Sequence, residues 1–295
     1  MTDNSNNHPT PEAQPPVQAE FSVTHEQVQQ AFTTAEAWRT ETMLDPEFRA
    51  MAQEWGIKPG DTNDPNYWRA FATYGYNYAA SVRTEQGPSL EMDAFEVLST
   101  APAYAFEQYG LHHSGFNSYE ERESARQTTS YFNGLIRAFG ENYPDARAAD
   151  VLMSLAKVVN GSISNPTIRQ EASNQLKATV RGAQHELGFG QILKAAGVRF
   201  MPATLEQDLS GIDYVVDDGR GRALFVDVKA SLSEVEARGS AGVFAVKREK
   251  NSHRIVMFSM LRDEEFGGTF SISAQTATEK APVLLAQLQK AAKVA

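Results

Sequence analysis

The segment Leu224-Phe225-Val226-Asp227-Val228-Lys229-Ala230 decides how this chain is read. A short apolar run of this kind belongs in a sheet covered on both faces, where a carboxylate and an ammonium carry a large desolvation cost unless something offsets it. A metal ion and a phosphate would offset it. Residues two apart on a strand point to one side, so Asp227 and Lys229 share a pocket while Val226 and Val228 face the opposite layer.

Upstream, Ser210-Gly211-Ile212-Asp213-Tyr214-Val215-Val216 reads as a neighbouring strand. The turn Asp217-Asp218-Gly219-Arg220-Gly221 returns the chain as a hairpin, which would bring Asp213 near Asp227. Before it, Gly182 to Gly197 carries small or apolar residues at 183, 187, 190 and 193, a helical spacing closed by a glycine. Glu186 lies beside that stripe, half buried, whereas His185, one residue off on the helix, should point elsewhere.

In this order, a helix Glu, a Gly-x-Asp opening one strand and an Asp-x-Lys on the next resemble the PD-(D/E)XK nuclease superfamily, the restriction-endonuclease-like fold. Glu186, Asp213, Asp227 and Lys229 fall on its signature positions, with Ile212 where the pattern has proline. The resemblance covers roughly residues 176–295. It implies an α/β domain of α-β-β-β-α-β order, a mixed sheet flanked by helices, and a Mg²⁺-dependent phosphodiesterase for which Mn²⁺ could substitute, an endonuclease rather than an exonuclease. Asp213 and Asp227 would be direct metal ligands, the Val228 carbonyl a further oxygen, and Glu186 would hold a second ion or a metal-bound water. Lys229 would orient or deprotonate the water, or hold the scissile phosphate.

The competing account of the same residues is a buried ion-pair network without metal. Three acids against one lysine leave two negative charges uncompensated, at several kcal/mol per ion, which favours a cation. Downstream, Lys247, Arg248, Lys250, His253 and Arg254 form the one dense basic segment, and Lys247, Arg248, Lys250 and Arg254 are candidates for phosphate-backbone contacts, DNA being favoured. A soluble strand edge accounts for them as well. The pair Gly188-x-Gly190 has the look of a phosphate loop but sits inside a helix pattern with no strand before it.

The rest of the chain is helical in pattern. At 295 residues it has room for two domains, and 41% hydrophobic with 22% charged content describes an ordinary globular protein. The absence of cysteine removes disulfides, thiolate zinc sites and cysteine nucleophiles. No apolar run reaches membrane-spanning length and the N-terminus has no signal-peptide pattern, so the sequence reads as cytoplasmic with no membrane partner. The net charge of −10 speaks against nucleic acid only until it is divided: residues 181–295 hold 15 basic and 14 acidic side chains, so the excess acid lies in the first part.

Residues 1–20 are rich in Asn, Pro and Gln and read as a disordered tail. Residues 21–175 read as an all-α domain. Thr24 with Gln27, and Ser118 with Glu121, have capping-box spacing, while Asp45-Pro46 opens a helix with Phe48, Met51, Ala52 and Trp55 on one face and Asp64-Pro65 opens another. Ser89 to Tyr109 should break at Pro102, and Pro144 should begin a helix closed by Gly161. The helix from Asn165-Pro166 could run on into the one bearing Glu186. The aromatic sequence Tyr67 to Tyr78 reads as core rather than base-stacking surface, and His112-His113 as bystanders.

After Gly197, strands are expected at 198–203, 211–216, 222–231 and 254–260. The segment 243–250 is open between a strand and a crossover helix, 269–273 suggests an edge strand, and 276–294 a terminal helix. The acidic helical domain would dimerise, dock a partner or cover the site. Two other classes of function remain: a catalytically silent nuclease-fold scaffold, or an interaction protein acting through its acidic helices.

Overall fold

The computed structural model describes residues 22–58, 60–113, 115–217, 223–230, 244–249 and 252–294. Helices come first: α1 (His25–Thr42), α2 (Pro46–Glu54), α3 (Pro65–Gln86), α4 (Leu90–His113), α5 (Tyr119–Asn142), α6 (Ala148–Ser162) and α7 (Pro166–Ala195). Then follow β1 (Phe200–Pro202), the short α8 (Leu205–Leu209), β2 (Tyr214–Asp217), β3 (Ala223–Lys229), β4 (Phe244–Glu249), β5 (Ser252–Phe258), a 3₁₀ turn at Asp263–Phe266 and α9 (Ala274–Val294). The coarse expectation, helices followed by a mixed sheet with flanking helices, agrees with this order.

The helix starts follow their local chemistry. Thr24 accepts the Gln27 N–H while the Gln27 side chain accepts from Thr24, a complete capping box. Asp45, Asp64 and Asn165 each cap a helix with proline in its first turn. Ser118 accepts the Glu121 N–H, but Glu121 reaches the N–H of Asn117 instead of Ser118, so only half of the expected box forms.

Three expectations about helices are corrected. Pro102 does not break α4, which runs through it with Pro102 buried; α1, α3, α5, α6 and α7 all pack against this helix, and their contacts offset the lost hydrogen bond. α6 begins at Ala148 rather than Pro144 and contains Gly161. Trp55, on the expected core face of α2, is 52% exposed because the helix ends just before it.

The sheet has the order β1-β2-β3-β5-β4, with β2 antiparallel to both β1 and β3 and β3 parallel to β5. β4 runs antiparallel to β5 at the other edge, so the segment left open between strand and crossover helix is a strand. Among the described residues the crossover helix of the α-β-β-β-α-β order is therefore absent, and α8 stands between the first two strands instead. Thr269 to Ser273 is no edge strand: Thr269 forms one isolated bridge to Arg147, and Phe270 is buried in the helical core. The expected tail at 1–20, the Asp218 to Gly221 turn and the polar connection at 232–242 lie outside the described residues.

Two hydrophobic cores meet along α7. Leu176, Val180 and Ala183 join a helical core with Phe95, Phe132 and Ile136. From Phe189 onward the same helix packs on Val226, Ile255 and α9 residues such as Leu284. The domain boundary expected near residue 175 thus falls inside a single 30-residue helix, the coupling that Asn165-Pro166 suggested. A smaller aromatic core of Phe48, Trp68 and Phe71 confirms that the Tyr67 to Tyr78 segment is mainly interior, although Tyr76 is 49% exposed.

Candidate functional site

Asp213 ends the loop from α8 and stands one residue before β2. Its N–H donates to the Val226 carbonyl at 2.8 Å, and its own carbonyl accepts from Ala203 at 2.9 Å. The register Tyr214 to Val226, continued by one residue, sets Asp213 opposite Asp227. Beside that main-chain bond Asp213 offers its carboxylate to the same strand: Oδ2 accepts the Val228 N–H at 2.5 Å. The Val226 carbonyl and the Val228 N–H face the same strand edge, and in extended backbone a residue's N–H and C=O share an edge, so the Val228 carbonyl also emerges on the Asp213 side.

Asp227 is fully buried and its carboxylate is in contact with the ammonium of Lys229, two positions on, whose side chain is 20% exposed. The strand alternation read from the sequence produces this pairing, with Val226 and Val228 turned into the core opposite.

Glu186 comes from α7, and the helix is held on the sheet by two glycines. A Cβ on Gly190 would lie 2.7 Å from Tyr214 Oη, and one on Gly188 would lie 2.5 Å from Leu261 Cδ1. Through the space at Gly190, Tyr214 donates its hydroxyl to the Glu186 carbonyl at 2.9 Å. The two glycines are thus positions of close helix packing, which is the physical reason for the motif that superficially suggested a phosphate loop.

Glu186, Asp213 and Lys229 line one cavity of about 1040 Å³, whose far wall is formed by α4 and α5. The Glu186 carboxylate makes no hydrogen bond or ion pair with any described residue. Burial, with the Asp213 charge added, pushes its carboxyl well above the usual range, against the pull of Arg137 on α5. Burial likewise pushes Asp213 up to about 6; the Lys229 charge opposes it, the Asp227 charge adds to it, and the Val228 N–H again opposes it. Asp208 on α8, which also lines the cavity, accepts a hydrogen bond from Ser130 on α5.

These carboxylates suit a hard divalent cation in charge and donor type. Three acids meet one ammonium, and burial, with the neighbouring acids adding to it, raises the proton affinities of Glu186 and Asp213. Among the described residues, however, no group of three or more Asp, Glu or His side chains is gathered as a cage for an ion. Magnesium tolerates this, since it keeps several waters and is usually held by one or two carboxylates together with substrate phosphates. Asp213, Asp227 and the Val228 carbonyl would be its protein ligands.

His185 points away from this cavity, as its helical position required. It is 1% exposed, with Nδ1 2.6 Å from Ser259 Oγ and Nε2 3.0 Å from Asp263 Oδ1. The arrangement has the members of a Ser-His-Asp triad, but Ser259 is fully buried and closed to a substrate. It ties α7 to the chain beyond β5, while Arg181 also donates to Asp263 at 2.9 Å. His112 and His113 flank Glu171 at the surface, with His113 Nε2 2.9 Å from it.

Sequence reasoning missed the residues of the far wall: Arg126, Ser130 and Arg137 on α5, and Asp208. Their helical periodicity marks a face of α5, but nothing local says what that face meets. Of the basic candidates, Lys247 and Arg254 are register partners on β4 and β5, and Arg248 pairs with His253. The side chains of Lys247, Arg248 and Arg254, and all of Lys250, lie outside the described residues.

Comparison of the chain with protein-family models, with curated proteins and with solved structures finds no match. Among the described residues no helix is long and apolar enough to cross a membrane.

Proposed function

We propose that this chain is a divalent-metal-dependent nuclease, acting on DNA, whose C-terminal part is a variant of the restriction-endonuclease-like fold with an extra edge strand. The observation that carries the reading is that Glu186, Asp213 and Lys229, from a helix, a strand approach and a strand, line a single cavity, with Asp227 in contact with Lys229.

Mg²⁺, held by Asp213, Asp227 and the Val228 carbonyl, would supply positive charge to the non-bridging oxygens and lower the proton affinity of a bound water. The protein's own part is positional. Lys229, braced by Asp227, offers an ammonium to a phosphate oxygen as negative charge grows there. Asp213, fixed by the Val228 N–H, keeps one carboxylate oxygen directed by the strand, and Glu186, which pairs with none of the described residues, is available to accept a proton from water.

A Mg²⁺-supplemented cleavage assay on single- and double-stranded DNA and on RNA tests this. Wild type should cut, and Glu186→Gln, Asp213→Asn and Lys229→Ala should each lose at least a hundredfold while remaining folded. Cleavage that persists in EDTA, or in all three variants, rejects the assignment.

A second reading, a catalytically silent scaffold, draws on the lack of a three-carboxylate cage among the described residues. It predicts nucleic-acid or partner binding with no metal-dependent cleavage on any substrate.

A further inference from the structure

The cavity belongs as much to the helical part of the molecule as to the sheet. Arg126, Thr129, Ser130, Asn133, Gly134 and Arg137 follow one another along α5 at helical intervals, and all of them line it. Arg137 is half-buried there and makes no hydrogen bond or ion pair with any described residue. Its charge nevertheless reaches Glu186 and Tyr214 across the cavity. A guanidinium kept partly from water, paired with no carboxylate among the described residues, shares the cavity with Glu186, Asp213 and Lys229. Its planar fork fits the paired oxygens of a phosphate.

The two walls are tied together. Ser130 on α5 donates to Asp208 on α8, and Tyr104 on α4 is 2.8 Å from Thr179 on α7. The cavity between the walls, about 1040 Å³ and partly open to solvent, is slightly larger than the roughly 300–1,000 Å³ typical of small-ligand pockets. A single strand is narrow enough to lie in a cleft of this volume, whereas a B-form duplex, whose major groove alone is about 12 Å wide, is larger than the cleft.

We propose that Arg137 is a phosphate-binding residue contributed by the helical part, and that the roof formed by α4 and α5 makes the site selective for single-stranded nucleic acid. The inference rests on the nuclease reading for its substrate class. It turns the first of the chain's two parts from a docking module into half of the binding site. Selectivity then comes from the shape of the cavity, while the phosphate contact supplies affinity that is independent of base.

Binding and cleavage separate the two claims. Wild type and Arg137→Gln are compared by fluorescence anisotropy with a labelled single-stranded 12-mer and its duplex, using Ca²⁺ in place of Mg²⁺ to keep the probe intact, and by Mg²⁺-dependent cleavage of both. Wild type should cut the single strand at least tenfold faster than the duplex. Arg137→Gln should bind the single strand about tenfold more weakly, the loss of one charge-assisted hydrogen bond. Its salt dependence should be shallower by about 0.7 in the slope of log K against log salt, with an unchanged Tm.

Gly134→Leu provides a second handle, because a Cβ at Gly134 meets nothing within 4 Å and a side chain there extends into free space lining the cavity. It should fold and yet slow cleavage of the single strand. Equal cutting of duplex and single strand, or unchanged binding by Arg137→Gln, overturns the inference and leaves the nuclease reading intact. Absence of all cleavage, with single-strand binding that depends on Arg137, removes the nuclease reading and supports the single-strand cavity.

Discussion

Lys229 lays its ammonium against the carboxylate of Asp227, two residues back on the same strand, and this contact balances the most deeply buried acid of the candidate site. Lys229→Met leaves Asp227 buried without that cation, and the loss should be about 3 kcal/mol or more. Asp227→Asn combined with Lys229→Met removes the charge together with its partner and should recover much of that stability. Urea unfolding of the two singles and the double in EDTA measures the coupling; additive losses would show that the pair is not a unit.

Asp213 gives a pH dependence whose sign is fixed. Its carboxyl is pushed up to about 6, chiefly by burial, so the folded protein holds this proton more tightly than the unfolded chain, whose carboxylate titrates at about 3.9. The folded state is free of this penalty below the unfolded value and carries it fully above about 6, on the order of 2–3 kcal/mol. In EDTA, Asp213→Asn should therefore unfold at a higher temperature than wild type at pH 7.5, with the advantage shrinking toward pH 4.5. An advantage that is the same at both values would contradict the assigned cause.

Metal should reverse that order. A cation that binds the folded state stabilises it by about 2.7 kcal/mol at one hundred times its dissociation constant. Titration of Mg²⁺ or Mn²⁺ at pH 7.5 should raise the Tm of wild type and leave that of Asp213→Asn nearly unchanged. A like shift in both proteins would move the ion elsewhere.

Gly190 couples helix to sheet. Alanine is the better helix former, yet its Cβ would stand 2.7 Å from Tyr214 Oη and displace the hydroxyl that holds the Glu186 carbonyl. Gly190→Ala should cost about 1–3 kcal/mol by overpacking, read by chemical denaturation. Gly190→Ala with Tyr214→Phe removes the clashing oxygen and should be less destabilised than the first substitution alone.

Much of the site was legible before any coordinates. Asp227 and Lys229 share a side because a strand repeats every two residues, Glu186 sits beside an apolar stripe because a helix repeats every 3.6, and the hairpin pattern brings Asp213 opposite Asp227. Local chemistry also marked the helix starts at Thr24, Asp45, Asp64 and Asn165, where a side-chain oxygen satisfies an amide that the helix leaves open. Period and capping are short-range, so neighbouring residues carry them completely.

What the tertiary structure decided lies between elements. Whether Pro102 breaks α4 depends on the helices packed around it, and whether residues 244–249 join the sheet depends on the free edge of β5. The purpose of Gly188 and Gly190 appears only with Leu261 and Tyr214 against them. Above all, the sequence specifies an α5 with Arg137 on one face, but the cavity which that face closes exists only because α7 passes without interruption from the helical core into the sheet core. Contacts between residues far apart in the chain are set by how whole elements pack, and no local period encodes them.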